Sequence, residues 1–254
     1  MIGQYQTTIT DLTTNDDGLR ANPPRLLVVH SFEGDPDITA AAMADYQSGR
    51  MAHQRTGSYH VVIDGSGVSC RENDDEFIPW AAGFNGNRVG LHVSLAGQAA
   101  FSRDHWLSRP AQLQELGRWL AHSARFHSIP LEIATIDGIR TNGRGVCSHA
   151  DISRAWPLSQ FPRTGTDHSD PGAGFPWDVA LDLARGGTPP PPPADVPPPP
   201  PPREGPEFHR VQPGDTLGKL AQRYGRTVRE LAEWNCIDNP DVIRVGDKLR
   251  VAPR

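Results

Sequence analysis

The chain has 254 residues, and 25 lysines and arginines against 30 aspartates and glutamates give it a formal net charge of −5. This balance disfavours nucleic acid as the main partner, and the lack of an apolar run of about 18 residues predicts no membrane-spanning helix. Three cysteines without C-x-x-C spacing exclude a disulfide scaffold and a cysteine zinc knuckle.

A proline-rich segment divides the chain. Residues 186–207 contain 12 of the 25 prolines, and such a stretch prefers an extended polyproline II rod. We interpret it as a spacer between a large region, residues 1–185, and a tail, residues 208–254; a ligand for proline-binding domains is the less favoured alternative. The large region carries 15 basic against 21 acidic side chains and the tail 9 against 6, which indicates two separate functions.

Predicted strands and helices alternate in the large region. Period-2 or continuous apolar patterns predict strands at 25–30, 58–64 and 89–95. Helical spacing of apolar residues predicts helices at 37–50, starting at Asp37, at 108–127, starting at Ser108, and at 177–184. The segment 58–64 runs into Gly65-Ser66-Gly67, which is typical of a hairpin turn. This alternation predicts an α/β fold in which a central mixed β-sheet is flanked by helices.

The tail has a strand-helix-helix-strand pattern. A strand at 208–211 precedes a Pro-Gly turn, and Asp215 or Thr216 can cap a first helix that Gly225 ends. A second helix is predicted at about 227–235, and a closing strand at 248–251 is expected to pair with the first strand.

The tail resembles a LysM domain. The resemblance rests on VQPGDTL at 211–217, Leu-Ala-x-x-Tyr-Gly at 220–225, Asn239-Pro240, and GDKL at 246–249, and it covers nearly all of 208–252. It implies binding of peptidoglycan or chitin through N-acetylglucosamine. The residues it places at the sugar groove belong to two loops: Gly214, Asp215, Thr216, Leu217, Pro240 and Ile243.

Histidines are concentrated in the large region. Nine of the ten lie there, whereas both lysines lie in the tail. His30 ends a buried strand, His149 lies in a glycine-rich loop, and Asp170 follows 21 residues later before a Pro-Gly turn. Two imidazoles and one carboxylate are a typical ligand set for a catalytic zinc with an open fourth position. Each histidine alone would more often be structural.

Four short strings add a second resemblance. VVHS at 28–31, SYHVVID at 58–64, CSHADIS at 147–153 and DPGAGFPW at 170–177 are similar, in the same order, to the zinc N-acetylmuramoyl-L-alanine amidases of the peptidoglycan-recognition-protein superfamily. The resemblance covers about residues 24–185. It implies that His30, His149 and Asp170 bind zinc and that the enzyme cleaves the amide between muramic acid and L-alanine.

The same resemblance implies roles for further residues. Tyr59 matches a tyrosine next to the zinc-bound water, and His168 stands where relatives commonly carry a lysine that holds the oxyanion. His92 replaces the acidic residue of a Gly-Ile-Glu strand, so it is either the general base or a structural residue of the strand. Cys147 lies beside His149, but no neighbouring pattern supports a cysteine protease, so we expect a buried thiol.

The two resemblances together predict a peptidoglycan hydrolase anchored by its tail. The N-terminus lacks a basic segment followed by an apolar one, so we expect no Sec-type signal peptide and favour a phage endolysin. Such an enzyme would be a monomer, held in the host cytoplasm until a holin-type lesion releases it, with zinc as cofactor and peptidoglycan as partner. The alternatives are a non-catalytic peptidoglycan-recognition protein, a host autolysin and a muropeptide-recycling amidase.

Overall fold

The computed structural model describes residues 4–13, 15–47, 57–193, 208–235, 237 and 239–251. The elements of these residues are, in chain order, β1 (Ile9–Thr10), β2 (Asp16–Leu19), β3 (Leu26–Ser31), α1 (Ala40–Gln47), β4 (Val61–Ile63), β5 (Ser69–Arg71), β6 (Phe77–Pro79), α2 (Gly83–Val89), β7 (Gly90–Leu95), α3 (Arg103–Leu107), α4 (Pro110–His127), α5 (Ile136–Arg140), β8 (Gly145–Ser148), α6 (His149–Ala155), α7 (Trp177–Ala184), β9 (Phe208–Arg210), α8 (Leu217–Tyr224), α9 (Val228–Asn235) and β10 (Lys248–Arg250). No helix among the described residues is both long enough and apolar enough to cross a membrane.

The large region is built on a six-stranded mixed sheet with the strand order β1-β5-β4-β7-β3-β8. β3 is parallel to both β7 and β8, β4 is parallel to β7, and β4 and β5 form an antiparallel hairpin. β2 and β6 pair in a small separate sheet. The predicted α/β fold with a central mixed sheet is thereby confirmed.

Helices cover both faces of this sheet. Successive side chains of a strand point to opposite faces, and in β3 both sets are apolar. Leu27 and Val29 of β3 belong to the core that contains Trp119 and Leu120 of α4 and part of α7. On the opposite face, Leu26 and Val28 pack with Ile139 of α5 and Ile152 of α6. All residues of the central strands β3 and β7 are therefore buried, as sheets covered on both faces require.

Two predicted helix starts are wrong. The first helix begins at Ala40 rather than Asp37; the hydroxyl of Thr39 accepts from the backbone N–H of Ala42 at 3.3 Å, and residues 48–50 of the predicted span lie outside the described residues. The long helix begins at Pro110 rather than Ser108, since the fixed φ of proline suits the first helical position.

The tail folds as predicted. β9 and β10 pair antiparallel, and α8 and α9 lie between them in sequence. Thr216 caps α8 by accepting from the backbone N–H of Lys219 at 3.2 Å, and Gly225 ends the helix in the left-handed region at φ 63°. Val211, Leu220, Leu231 and other apolar side chains form a core of its own for the tail.

The boundaries that the sequence suggests, 1–185, 186–207 and 208–254, stay a prediction. The polyproline II conformation concerns a segment of which residues 194–207 lie outside the described part of the chain.

Candidate metal centre

Strand register brings the two predicted histidine ligands together. β3 and β8 are parallel, with Val28 opposite Cys147 and Val29 opposite Ser148. Continuing this register by one residue sets His30, near the end of β3, beside His149, the first residue of α6. Both histidines are buried, at 0% and 3% exposure, so two residues 119 positions apart share one edge of the sheet.

Asp170 completes a triangle with these histidines. The Nδ1 atoms of His30 and His149 are 3.1 Å apart, and the Asp170 carboxylate oxygens lie 3.2 Å from His30 Nδ1 and 3.1 Å from His149 Nδ1. Among the described residues, these three side chains form a group whose donor atoms are close enough together to bind one metal ion. Three donors bound tetrahedrally at about 2.0–2.1 Å would lie about 3.3–3.4 Å apart, so the separations in the triangle are within about 0.3 Å of those of a tetrahedral zinc site.

Asp170 lies in the loop before α7, and hydrogen bonds to its backbone and side chain hold it in place. The Asp170 carbonyl accepts from the backbone N–H of Ala150 at 3.0 Å, and its Oδ2 accepts from that of Ser31 at 3.2 Å. The loop also packs tightly at Gly172, which has φ 90° and where a Cβ atom would lie 1.9 Å from the Ala99 carbonyl oxygen. Only glycine fits there, which explains the Asp-Pro-Gly string.

The second ring nitrogen of each histidine points away from the triangle and has a partner. His30 Nε2 lies 3.0 Å from His92 Nδ1, and His92 Nε2 lies 3.2 Å from the carbonyl oxygen of Gly86. A carbonyl only accepts, so we infer that His92 carries its proton on Nε2 and accepts from His30 at Nδ1. His30 Nδ1 is then left unprotonated and directed at the triangle, which is the form that a metal needs.

His149 has the corresponding partner in Thr166, whose hydroxyl lies 2.9 Å from His149 Nε2. Thr166 is not among the site residues predicted from the sequence. A Thr-x-His-x-Asp spacing at 166–170 is the only sequence signal, and the strand register is needed to interpret it.

The electrostatics keep the cluster in the ligand form. Burial lowers the pKa of His30 to about 4, although the adjacent Asp170 carboxylate opposes this. Burial by itself would raise the pKa of Asp170, but the imidazoles of His149 and His30 beside it hold it well below its usual range. At neutral pH the site therefore presents a neutral His30 and a carboxylate, and this donor set fits Zn²⁺.

Tyr59 and His168 each contact one histidine of the triangle. The Tyr59 ring centroid is 4.9 Å from that of His30, and burial together with the Asp170 charge raises the pKa of its phenol. The His168 ring stacks on His149 at 4.5 Å between centroids, while its side chain is 61% exposed. His168 can thus meet a solvent-borne ligand.

His92 is placed differently from these two residues. It is fully buried and contacts His30, and burial and the neighbouring His30 hold its pKa well below the ordinary value. The ring of His60 stacks on it at 5.9 Å, and His60 Nδ1 accepts from the His92 backbone N–H at 2.9 Å.

Cys147 is fully buried in β8, and burial raises the pKa of its thiol. The expectation of a buried thiol is confirmed.

The predicted sugar-binding residues of the tail divide into two groups. Gly214, Thr216 and Pro240 are exposed, and Ile243 is half-buried at the edge of the tail core. The Leu217 side chain is 1% exposed and belongs to that core, so it offers a ligand no side-chain surface. The Asp215 carboxylate accepts from the Gln212 backbone N–H and bonds His209, both at 2.7 Å, which makes it part of the turn.

Two family models match this chain. A family model described as N-acetylmuramoyl-L-alanine amidase matches residues 20–173, and one described as LysM domain matches residues 209–252. A curated protein, the N-acetylmuramoyl-L-alanine amidase XlyA of Bacillus subtilis (strain 168), is 46% identical over 48 residues, which are 19% of this chain and 16% of that protein. The matched part is thus less than a fifth of that relative's length.

Two solved structures share the fold of the large region. The Staphylococcus aureus hydrolase AmiA, solved in complex with its ligand, has a TM-score of 0.51 at 18% identity and covers 69% of this chain and 80% of its own. A selenomethionine derivative of AmpD has a TM-score of 0.50 at 19% identity, with 71% and 96% covered.

Proposed function

The chain belongs to the N-acetylmuramoyl-L-alanine amidase family, and we propose that it hydrolyses the amide bond between N-acetylmuramic acid and L-alanine of the peptidoglycan stem. The observation that carries this proposal is the buried triangle of His30, His149 and Asp170. Its donor atoms are 3.1–3.2 Å apart.

We propose that the triangle holds Zn²⁺ as the cofactor. Zinc with three protein ligands supplies an activated water and polarises the scissile carbonyl. The chain's own part is to keep three donors converged, with His92 and Thr166 fixing the two rings from behind. Such outer partners set ring orientation and ligand basicity.

His168 and Tyr59 are the residues proposed to meet the substrate. A ring N–H of His168 donates to the oxygen of the scissile carbonyl, on which negative charge develops. The Tyr59 phenol, whose pKa is raised, stays protonated and serves as a donor beside His30. His92, which is buried behind His30, is a positioning residue rather than a general base.

The tail is proposed to bind the N-acetylglucosamine-containing glycan of the wall. Its loop 239–246 exposes two large apolar side chains, Val242 at 56% and Val245 at 64%, and an acetyl methyl group can pack on such a surface. Gly214 and Thr216 are exposed on the preceding loop. Binding there raises the concentration of stem peptides near the metal centre.

The cellular role we propose is that of a phage endolysin that acts from the host cytoplasm. The combination of a wall-cleaving and a wall-binding region in one chain supports it. Expression in the cytoplasm of a susceptible host should cause lysis when the membrane is permeabilised, and not before. Lysis without permeabilisation would contradict this role.

Zinc titration of the full chain tests the proposed function. We expect one zinc per chain, loss of hydrolysis of purified sacculi with a chelator, and recovery on adding zinc back. His149→Ala and Asp170→Ala should abolish both zinc binding and hydrolysis, whereas His105→Ala, which changes a histidine of α3 that stacks on Phe101, should abolish neither. Full hydrolysis by metal-free protein or by His149→Ala would overturn the metal assignment.

A further inference from the structure

The tail contacts the large region through hydrogen bonds, an ion pair and one close steric approach. The residues on the large region are Thr10 of β1, the following Asp11, and Thr39 and Asp45 at α1; those on the tail are Gly225, Val228 and Arg229. We call these seven residues the docking surface. A spacer between two independent regions would not require any such contact.

The first contact joins a buried carboxylate to a helix start. Asp45 of α1 is 0% exposed, and its Oδ2 accepts from the backbone N–H of Val228 at 2.6 Å. Val228 is the first residue of α9, and its N–H points out of the helix start, where no carbonyl of α9 is available. A carboxylate at this position also interacts favourably with the helix dipole. The large region thus supplies part of the cap of a helix in the tail.

The second contact is made by Arg229, the next residue of α9. Its Nη2 donates to the Thr10 carbonyl at 3.1 Å, and its Nη1 lies 3.6 Å from Oδ1 of Asp11, a side chain that is 0% exposed. The Arg229 side chain is half-exposed. Arg229 therefore reaches from the surface of the tail to a carboxylate buried in the large region.

The third contact is a close backbone approach. At Gly225, which ends α8, a Cβ atom would lie 2.8 Å from Cγ2 of Thr39. The glycine is thus needed twice, for its φ of 63° and for the space that Thr39 takes. A tail that moved freely on a spacer would not need glycine at position 225 to make room for Thr39.

Charge supports the same arrangement. A cleft of about 520 Å³ runs beside the docking surface. Asp35, Asp37 and Asp64 line it from the large region, and Lys219, Arg223 and Arg226 line it from α8 and the turn that follows. The opposite charges of the two regions, which the sequence suggested were signs of two separate functions, face each other across this cleft.

We propose that in solution the tail is docked on the large region through the docking surface, so that the two regions move as one body. Gly214, Thr216 and Pro240, loop residues predicted to bind sugar, are exposed with the tail in this position, and Ile243 is half-buried, so docking leaves both loops accessible. The glycan-binding loops are then held in a constant direction from the metal centre. The docking itself does not depend on the proposed amidase activity.

Backbone ¹⁵N relaxation of the full chain tests this proposal. Residues 208–254 are 47 of 254 residues, so a freely tethered tail would tumble with a correlation time roughly fivefold shorter than that of the whole chain. We expect the amides of α8 and α9 to report the same correlation time as those of α4. A clearly shorter correlation time for the tail in the wild-type chain would overturn the proposal.

Two variants locate the interaction. Arg229→Asp faces Asp11 with a like charge, and Asp45→Asn weakens the acceptor for Val228; each should shorten the correlation time of the tail severalfold while that of α4 changes little. The matched control is Arg210→Asp, because the Arg210 guanidinium donates to Gly246 within the tail at 3.0 Å; it should leave common tumbling intact. If Asp45→Asn fails to fold, Arg229→Asp still tests the proposal, because the Arg229 side chain is half-exposed. An unchanged correlation time of the tail in Arg229→Asp would contradict the assigned surface.

Discussion

At the scale of single residues, the proposed metal centre depends on which nitrogen of each histidine ring faces the triangle. His30 and His149 both direct Nδ1 at Asp170 because Nε2 is occupied by His92 and Thr166. The sequence could predict that these three residues belong to one site, since each lies in a string with known neighbours. It could not predict the orientation of the rings. His92 comes close to His30 only through the parallel pairing of β3 and β7, and Thr166 meets His149 from a loop outside that sheet.

His92→Ala tests whether this residue positions His30 or takes part in the reaction. Loss of the acceptor at Nδ1 should weaken zinc binding by about 10–100-fold, measured by competition with a chelator, with kcat near wild type at saturating zinc. His92→Asn, whose side-chain oxygen can replace Nδ1 as acceptor, should recover part of the affinity. An unchanged zinc Kd with a large loss of kcat would instead make His92 the general base.

His168→Ala should lower kcat on soluble muropeptides by about 10²-fold or more, because a donor to the developing oxyanion is lost. Zinc stoichiometry should stay at one per chain, since His168 is 61% exposed and outside the triangle. His168→Lys should restore part of the rate and keep it at higher pH, where lysine remains charged. Wild-type rates for His168→Ala between pH 5 and 9 would show that the residue is only structural.

His60 gives a pH prediction that is independent of catalysis. Burial and the nearby Arg20 lower the pKa of this histidine to about 3, whereas in the unfolded chain it is about 6.5. Between these values the unfolded state binds the additional proton, so the free energy of unfolding falls as the pH falls, by up to about 1.4 kcal/mol per pH unit.

The variant His60→Asn keeps an acceptor for the His92 N–H and does not titrate. Urea unfolding of the chelator-treated chain should therefore show a shallower loss of stability from pH 6.5 downwards than wild type. Equal pH dependence in the two proteins would contradict the assignment.

At the scale of elements, periodicity predicted the buried strands and the longest helix because their side chains repeat regularly. It failed at helix starts, where one local contact decides. Asp37 looks like a cap, but its carboxylate lies 3.3 Å from the guanidinium of Arg109, and the hydroxyl of Thr39 bonds the first turn instead. The short helices α2, α3, α5 and α6 were not predicted, since helices of five to seven residues carry too little periodicity to detect.

The turn that presents Asp170 makes a prediction at this scale. Gly172→Ala places a Cβ 1.9 Å from the Ala99 carbonyl at a φ of 90°, so the turn must move. We expect a loss of at least about 1 kcal/mol of stability and weaker zinc binding. Gly186→Ala is the matched control, because its φ of 98° is similar and a Cβ there meets nothing within 4 Å. Equal effects of the two substitutions on Tm and on zinc Kd would contradict this account.

At the scale of the whole molecule, the sequence indicated two regions joined by prolines, and each region has its own core. What composition could not show is their contact. Asp45 and Arg229 belong to no recognisable sequence motif. They form part of the docking surface only when α1 and α9 are both folded. The proline-rich segment therefore need not separate the regions that it joins.

Mass spectrometry of peptidoglycan digested by the full chain identifies the bond that is cut. We expect stem peptides with a free L-alanine amino terminus, together with glycan strands that keep the lactyl carboxylate of N-acetylmuramic acid, and neither product when the metal is chelated. New reducing sugar ends with intact stems, or cleaved cross-links between stems, would contradict the proposed amidase activity.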